Sequence, residues 1–198
     1  SVLSLDPETL ERTLCQAAVH LPRQAVVESV IVPLFERIGE LWKTGRLKIL
    51  NERIASNCIG NVLWDMLRSL EIGPRAPNIV LGTPAGQHHE LGALSAALAA
   101  AEAGWRPIYV GANLPAEELA AAVSQFNAKC IGLSVSFLLN ESQLQAELAK
   151  LRRYIGPQCA LLIGGLHGSR WNTLLKSVDA LQMNSWRELM QFLDVVIY

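Results

Sequence analysis

The spacing of apolar residues changes at one short linker, and that change constrains the fold more than any other feature of the chain. The linker is Gly73-Pro74-Arg75-Ala76-Pro77, whose glycine and prolines are typical of an irregular connection. Before it, apolar residues recur at the spacing of a helix. After it, apolar runs of strand length alternate with helical stretches, which predicts βαβ units and a parallel sheet covered on both faces. We therefore expect a helical domain over residues 1–74 and an α/β domain over residues 77–198.

The helical domain is predicted to be a bundle. Asp6-Pro7-Glu8 combines a capping side chain, a proline for the first turn and an acid near the positive end of the helix dipole, so it marks a helix start. Leu21-Pro22 and Gly45 interrupt the pattern that follows. Three or four helices with short links are expected, and we predict a four-helix bundle that caps the second domain.

The α/β domain is predicted to contain five strands. The apolar runs of strand length are Ile79–Gly82, Ile108–Gly111, Cys130–Phe137, Ala160–Ile163 and Val178–Met183. The helical stretches are Glu90–Ala103, Ala116–Phe126, Glu141–Tyr154 and Trp186–Leu193. Five strands favour a flavodoxin-like, Rossmann-like parallel sheet with the order 2-1-3-4-5. Sheets of this kind bind ligands beyond the carboxyl ends of their strands.

The composition limits the functions that need to be considered. The chain has 198 residues, of which 51% are hydrophobic, and its formal net charge is −1. Direct binding to nucleic acid normally needs a basic face, and this charge argues against it. No apolar run reaches the roughly 20 residues that span a bilayer. Cys15, Cys58, Cys130 and Cys159 are widely spaced without a CxxC pair, which argues against zinc or structural disulfides and favours the reducing cytoplasm.

Small and polar residues collect at the predicted ligand edge of the sheet. Gln87-His88-His89-Glu90-Leu91-Gly92 follows the first strand, Ser134 and Ser136 end the third, and Gly164-Gly165 follows the fourth. An imidazole can bind a metal, a hydroxyl can bond a heteroatom, and a glycine lets a ligand approach the backbone closely. Each feature alone has an ordinary structural explanation. The histidine could be solvated, the glycines could form a turn, and the serines could bond the local backbone. Their joint position at one edge favours a ligand site.

These motifs resemble the cobalamin-binding domain of methionine synthase, the mutases and corrinoid proteins. The shared features are HxxG after strand 1, serines on strand 3 and paired glycines after strand 4. The resemblance implies that cobalamin is the cofactor, that His89 is the lower axial ligand of cobalt, and that Gly92 opens a slot for the cofactor's tail. It further implies that the cofactor-binding residues of this domain include Gln87, His88, Ser134, Ser136, Gly164 and Gly165.

The helical domain resembles the cap bundle of MerR-type cobalamin-dependent regulators, which include light-responsive repressors. Their signature is a tryptophan followed, after nine residues, by Glu-His, and Trp42 and Glu52 have that spacing. The resemblance implies that the corrinoid is held between the cap and the α/β domain, under the cap residues Trp42, Ile49, Glu52 and Arg53. It also implies a homo-oligomer whose DNA-binding domain would precede this chain.

Three positions depart from the pattern of those regulators. Gln87 stands where the family usually has Asp or Glu, and although its carbonyl can orient the imidazole, it carries no charge. Arg53 replaces the histidine of Glu-His, and Lys43 replaces the histidine that follows the tryptophan in light-responsive members. A protonated lysine is a poor cobalt ligand, which argues against light sensing by the usual ligand exchange. His88 and His167 are the remaining candidates for an exchangeable upper ligand of cobalt. Both belong to the α/β domain, which argues against a role at the upper face.

The sequence therefore favours a sensor over an enzyme. The predicted function is a cobalamin-binding sensory domain of a transcriptional regulator, in which the bound form is adenosyl-, methyl- or hydroxocobalamin. One alternative is a corrinoid carrier that passes methyl groups between partner proteins; another is a haem-binding or ligand-free variant of the fold. A phosphoacceptor receiver domain is excluded, because it needs an acidic pair after strand 1 and an aspartate at the end of strand 3.

Overall fold

The chain forms two compact units, which are Ser1–Ser69 and Leu70–Tyr198. A computed structural model describes residue 2 and residues 6–136, 141–165 and 171–196. Within these ranges, none of the helices combines the length and the hydropathy of a bilayer-spanning segment.

The first unit is helical. Its α-helices are α1 (Pro7–His20), α2 (Arg23–Val26), α3 (Val32–Lys43) and α4 (Ile49–Arg68). A π-helical turn over Val27–Ile31 joins α2 to α3. Pro33 explains this turn, because a proline inside a helix clashes with the carbonyl four residues earlier, here that of Ser29. Because the π-helical turn joins α2 and α3 without a break, the four α-helical segments form three continuous helices.

The predicted start of α1 and the predicted break after α3 are both confirmed. The Thr9 N–H donates to Asp6 Oδ1 at 2.9 Å, so Asp6 caps the first turn. Gly45 follows α3 with φ of +69°, a left-handed conformation typical of the residue after a helix. Leu47, in the turn that leads into α4, is buried.

The second unit is a five-stranded parallel sheet covered by helices, as predicted. Its strands are β1 (Asn78–Pro84), β2 (Arg106–Leu114), β3 (Cys130–Ser134), β4 (Ala160–Gly164) and β5 (Ala180–Met183). Its helices are α5 (Leu91–Glu102), α6 (Ala116–Gln125), α7 (Glu141–Ile155), α8 (Asn172–Ser177) and α9 (Trp186–Val196). The strand order is β2-β1-β3-β4-β5, the flavodoxin-like order. The short helix α8 is an addition to the elements read from the sequence.

Helices cover the sheet on both faces. α5 packs on β1, β2 and β3 and against α9. Trp105, which is fully buried, connects these parts through a hydrogen bond from its indole Nε1 to the Leu193 carbonyl of α9 at 3.2 Å. On the opposite face, α6, α7 and α8 enclose an apolar core with side chains from the strands. The three central strands β1, β3 and β4 therefore bury both of their faces, which is why they read as continuous apolar runs.

β2 is longer than the sequence predicted and irregular at its end. Tyr109 pairs with Leu81, but Gly82 pairs with Gly111, and Pro84 with Leu114, so the register shifts twice. β-bulges of this kind bend a strand and redirect its side chains. The bulged end of β2 thereby comes close to the loop that follows β1.

Candidate functional site

The carboxyl ends of β1 and β3 lie side by side at the point where the strand order reverses. β1 is followed by α5 on one face of the sheet, and β3 is followed by α7 on the other. Sheets of this topology bind ligands in the crevice at such a point. Residues 85–90, which we call the β1–α5 loop, carry the two histidines to this position.

The β1–α5 loop is connected to the end of β3 by Gln87. The Gln87 side chain is buried, and its Oε1 accepts a hydrogen bond from the Ser136 N–H at 3.2 Å. From the sequence, this oxygen can orient the His89 ring, and that role stays a prediction. The structure shows that it accepts from a backbone donor, as a buried amide and the amide N–H at the end of a strand both require a partner.

α5 begins in close contact with β3, and Gly92 makes this contact sterically feasible. A Cβ added at Gly92 would overlap Ser134 Oγ and lie 3.3 Å from Ser134 Cβ. The space left by the missing side chain is therefore occupied by the serine. Gly92 fixes how closely the first turn of α5 approaches the end of β3.

The ends of β3 and β4 are joined in register. Ser134 pairs with Gly164, and the Val135 N–H donates to the Gly164 carbonyl at 2.9 Å. Gly165 has φ of +86°, and a Cβ at this position would overlap the Val135 carbonyl oxygen. A side chain at residue 165 would thus be strained both by its backbone conformation and by this overlap. The paired glycines form a surface of bare backbone at the ligand edge.

The histidines stand outside this close-packed region. His88 and His89 are both exposed, at the amino end of α5. The structure therefore collects eight sequence-predicted residues at one edge of the second unit: Gln87, His88, His89, Gly92, Ser134, Ser136, Gly164 and Gly165. His167, the other candidate from the sequence, lies outside the described residues.

Residues that were not predicted from the sequence bond the β1–α5 loop to the ends of β1 and β2. The buried Thr83 hydroxyl donates to the Gln87 carbonyl, and it accepts from the Asn113 N–H at 2.8 Å. Asn113 Oδ1 accepts from the Gly86 N–H at 2.8 Å. Asn113 adopts a left-handed conformation with φ of +61°. The first half of the loop is thus bonded to the bulged end of β2.

Tyr109 of β2 holds the second half of the loop. Its phenolic O–H donates to a carboxylate oxygen of Glu90 at 2.8 Å. Burial, followed by the hydrogen bond to Glu90 and its charge, raises the pKa of Tyr109 far above the usual tyrosine value. The phenol therefore remains a donor at neutral pH.

The sequence contains a signal for Asn113 at the end of the second strand. Asn113-Leu114-Pro115 directly follows the apolar run of the second strand, and asparagine is the non-glycine residue that best tolerates a left-handed conformation. We predicted that this strand ended at Gly111, and residues beyond it were not considered for the ligand edge.

The predicted cap residues lie at one end of the helical unit, where α3 turns into α4. Three large apolar side chains are exposed there, with Trp42 48%, Ile49 61% and Leu50 57% accessible, and we call them the cap patch. Glu52 is half-buried and accepts a hydrogen bond from the Ser56 hydroxyl at 2.9 Å. Arg53 is exposed.

The residues present fit a corrinoid. The carboxyl edge of the sheet offers bare backbone at Gly164 and Gly165 and small side chains at Ser134 and Ser136, which suits close approach by a ligand. His89 offers an imidazole nitrogen on an exposed loop. A metal that is already held by a macrocycle needs few ligands from the protein, so a single imidazole would suffice.

Comparison with protein families identifies both units. A model described as B12 binding domain matches residues 77–181, and a second model with the same description matches residues 1–63. The first match alone covers more than half of the chain.

Two curated relatives are transcriptional repressors of Myxococcus xanthus. The chain is 26% identical to the HTH-type transcriptional repressor CarH over 160 residues, which are 81% of this chain and 53% of the repressor. It is 27% identical to the HTH-type transcriptional repressor CarA over 189 residues, which are 96% of this chain and 64% of the repressor. The chain thus spans between about half and two thirds of the length of these relatives.

Solved structures agree with the fold. The monomethylamine corrinoid protein of Methanosarcina barkeri superimposes with a TM-score of 0.76 at 13% identity, over 98% of this chain and 94% of that one. At this identity the likeness concerns the fold alone. Taken with the matches of both units, these findings mean that the chain belongs to the family of B12-binding domains and that its cofactor is cobalamin.

Proposed function

We propose that this chain is the cobalamin-sensing part of a transcriptional regulator and that His89 is the lower axial ligand of cobalt. The observation that carries the proposal is the position of His89, an exposed imidazole on a hydrogen-bonded loop at the topological switch point of the sheet. The similarity to two repressors supports the regulatory role.

The α/β unit would bind the lower half of the cofactor. Its small residues (Gly92, Ser134, Ser136, Gly164 and Gly165) would line the path of the tail, while Gln87 would hold the loop against β3 and His88 would contact the corrinoid beside the ligand. Bound cobalamin supplies a cobalt ion with an exchangeable upper ligand. The chain's own part is to fix the imidazole and to exclude water from the lower face.

The helical unit would contact the upper face through the cap patch. Trp42, Ile49 and Leu50 are large apolar side chains that the fold of this unit leaves exposed, which favours a ligand-binding role. Glu52 and Arg53 would contact the upper ligand. Neither Lys43 nor Arg53 is a histidine, which supports a response that does not use ligand exchange with a cap imidazole.

Regulation would follow from binding rather than from catalysis. A ligand that binds only the assembled form of a protein stabilises that form by RT ln(1 + [L]/Kd). Cobalamin contacting both units would shift the oligomeric state of the regulator in this way. DNA would be bound by a separate domain of the full-length protein, which is consistent with the net charge of −1 for this chain.

The axial-ligand proposal is tested with His89→Ala and a matched neighbour, His88→Ala. Purified protein is titrated with hydroxo-, methyl- and adenosylcobalamin and followed by its visible spectrum. We expect His89→Ala to lose the spectral change of imidazole coordination, while His88→Ala retains it. An unchanged spectrum for His89→Ala would refute the axial role. Absence of binding by wild-type protein would favour the haem-binding or ligand-free alternative.

The oligomer proposal is tested by gel filtration with each cobalamin, in darkness and after illumination. A ligand-dependent shift in elution volume is expected for a sensor. Identical elution under every condition would contradict regulation through assembly. A shift that illumination reverses would show that light is sensed despite Lys43 and Arg53.

A corrinoid carrier for methyl transfer is the second candidate, favoured by the shared fold of the monomethylamine corrinoid protein. The uncharged Gln87 argues against it, since it cannot hold a shuttled proton at neutral pH. Turnover in a methyl-transfer assay with partner methyltransferases would support the carrier over the sensor.

A further inference from the structure

We propose that Tyr109 and Asn113, both on β2, are positioning residues that hold the His89 segment in the geometry needed to bind cobalt. This inference rests on the proposed function of His89. The two residues lie on a strand that carries none of the predicted cofactor-binding residues. They are bonded to opposite ends of the β1–α5 loop, at Glu90 and Gly86.

Asn113 holds the start of the loop through its side chain and its backbone. Its Oδ1 accepts from the Gly86 N–H, and its own N–H donates to Thr83 Oγ1, both at 2.8 Å. The same Thr83 hydroxyl donates to the Gln87 carbonyl. Asn113 reaches this position because the double register shift lengthens β2 relative to β1.

Tyr109 holds the end of the loop through Glu90, the residue directly after His89. The phenolic O–H donates to the carboxylate at 2.8 Å, and a hydrogen bond to a charged acceptor is stronger than one between neutral groups. Glu90 is also the residue that precedes α5, so the same bond fixes where the helix begins.

His89 thus lies between two fixed points while its own side chain is exposed. Restricting the loop before cobalamin arrives lowers the entropy that would otherwise be lost on binding. Partners that orient a metal ligand typically change metal affinity by roughly 10- to 100-fold when they are removed. We therefore expect that removing either the Tyr109 or the Asn113 hydrogen bond weakens cobalamin binding by a factor at the lower end of that range.

The test uses Tyr109→Phe and Asn113→Gly in the full chain. Phenylalanine removes only the hydroxyl, and glycine keeps the left-handed backbone while removing the amide. The matched controls are Tyr154→Phe, an exposed tyrosine on α7, and Asn127→Gly, another asparagine with positive φ (47°). Asn113→Asp and Glu90→Gln keep an acceptor oxygen and are expected to retain most of the wild-type behaviour.

Two measurements are made on each variant. Hydrogen exchange of the cofactor-free protein reports the loop directly, and we expect roughly tenfold faster exchange at residues 86–91 with the rest of the sheet unchanged. Electron paramagnetic resonance of bound cob(II)alamin reports axial nitrogen through its splitting. We expect a smaller coordinated fraction and about tenfold weaker binding in the two variants, but not in the controls.

The outcomes separate this inference from the proposed function. Faster exchange with full nitrogen coordination and unchanged affinity would overturn the positioning role, as would exchange no faster than in the controls. If wild-type protein shows no axial nitrogen, the proposed role of His89 fails. The positioning role then fails with it, even if hydrogen exchange shows that Tyr109 and Asn113 restrain the loop.

Discussion

The two units of this protein present their candidate ligand-binding residues in opposite ways. At the sheet edge, the residues are closely packed against neighbouring strand ends. Gly92 packs on the side chain of Ser134, and Gly165 packs on the carbonyl of Val135. At the end of the helical unit, the cap patch consists of side chains with about half or more of their surface exposed, from 48% to 61%. Substitutions in the first region should disturb the sheet, whereas substitutions in the second should have little effect on folding. Binding and stability should therefore be coupled in the α/β unit and separable in the cap.

The tryptophans offer the sharpest test of this difference. Trp105→Ala removes a fully buried indole and should lower the free energy of unfolding by about 3–5 kcal/mol. Trp42→Ala removes a half-exposed indole and should lower it by less than about 1 kcal/mol, while weakening cobalamin binding markedly. Chemical denaturation of the cofactor-free proteins and visible titration with cobalamin measure the two effects.

A large loss of stability in Trp42→Ala without cofactor would contradict the contrast, since it would show that the indole belongs to the core of the cap. Trp105→Phe serves as the milder variant if the alanine protein does not fold. Trp105→Phe should lose stability while still binding cobalamin with wild-type affinity. Trp42→Ala should bind cobalamin more weakly than wild type.

Two glycines sharpen the same contrast. A Cβ at Gly92 meets Ser134 Oγ, so Gly92→Val should destabilise the α/β unit by roughly 1–3 kcal/mol through overpacking. A Cβ at Gly39 in α3 meets nothing within 4 Å, so Gly39→Ala should stabilise the cap by about 0.5–1 kcal/mol through helix propensity. Thermal unfolding followed by circular dichroism checks both signs.

The contact with Ser134 is confirmed if Gly92→Ala is less damaging in a Ser134→Ala background, where the overlapping oxygen is gone. Equal effects in the two backgrounds would show that Gly92 is needed for another reason.

The smallest expected effect concerns the pH dependence of the cap. The hydrogen bond from the Thr9 backbone N–H lowers the pKa of Asp6 below the value of 3.8 for a free aspartate. A lowered folded-state pKa means that this stabilisation is complete above pH 3.8 and is lost as the pH falls below it. The stability difference between wild type and Asp6→Asn should shrink in acid. A difference that stays constant on acidification would show that the Asp6 charge does not contribute.

The elements of the fold were predictable because they depend on local patterns. The apolar runs, the linker near Pro74 and the start signal at Asp6 each gave an element of the right kind. The π-helical turn was not foreseen, because Pro33 permits either a kink or a widened turn and the packing selects one. The short helix α8 was missed since six residues give too little periodicity.

The candidate site was predictable only in part. Motif spacing located His89, Gly92 and the paired glycines, and strand order then placed them at one edge. Tyr109 and Asn113 could not be connected to His89 from the sequence, because their contacts depend on how β2 pairs with β1 and, for Asn113, on the register shifts beyond Leu81.

By itself, the sequence determined which residue types reach the carboxyl edge from β1, β3 and β4, because the positions of these strands follow from local hydrophobic pattern and the edge follows from parallel topology. The tertiary structure decided how those residues are held. The bulges in β2 and the partner of Gln87 Oε1 arise from hydrogen bonds between segments distant in the chain. Such bonds depend on the exact register of neighbouring strands, and local spacing carries no information about it.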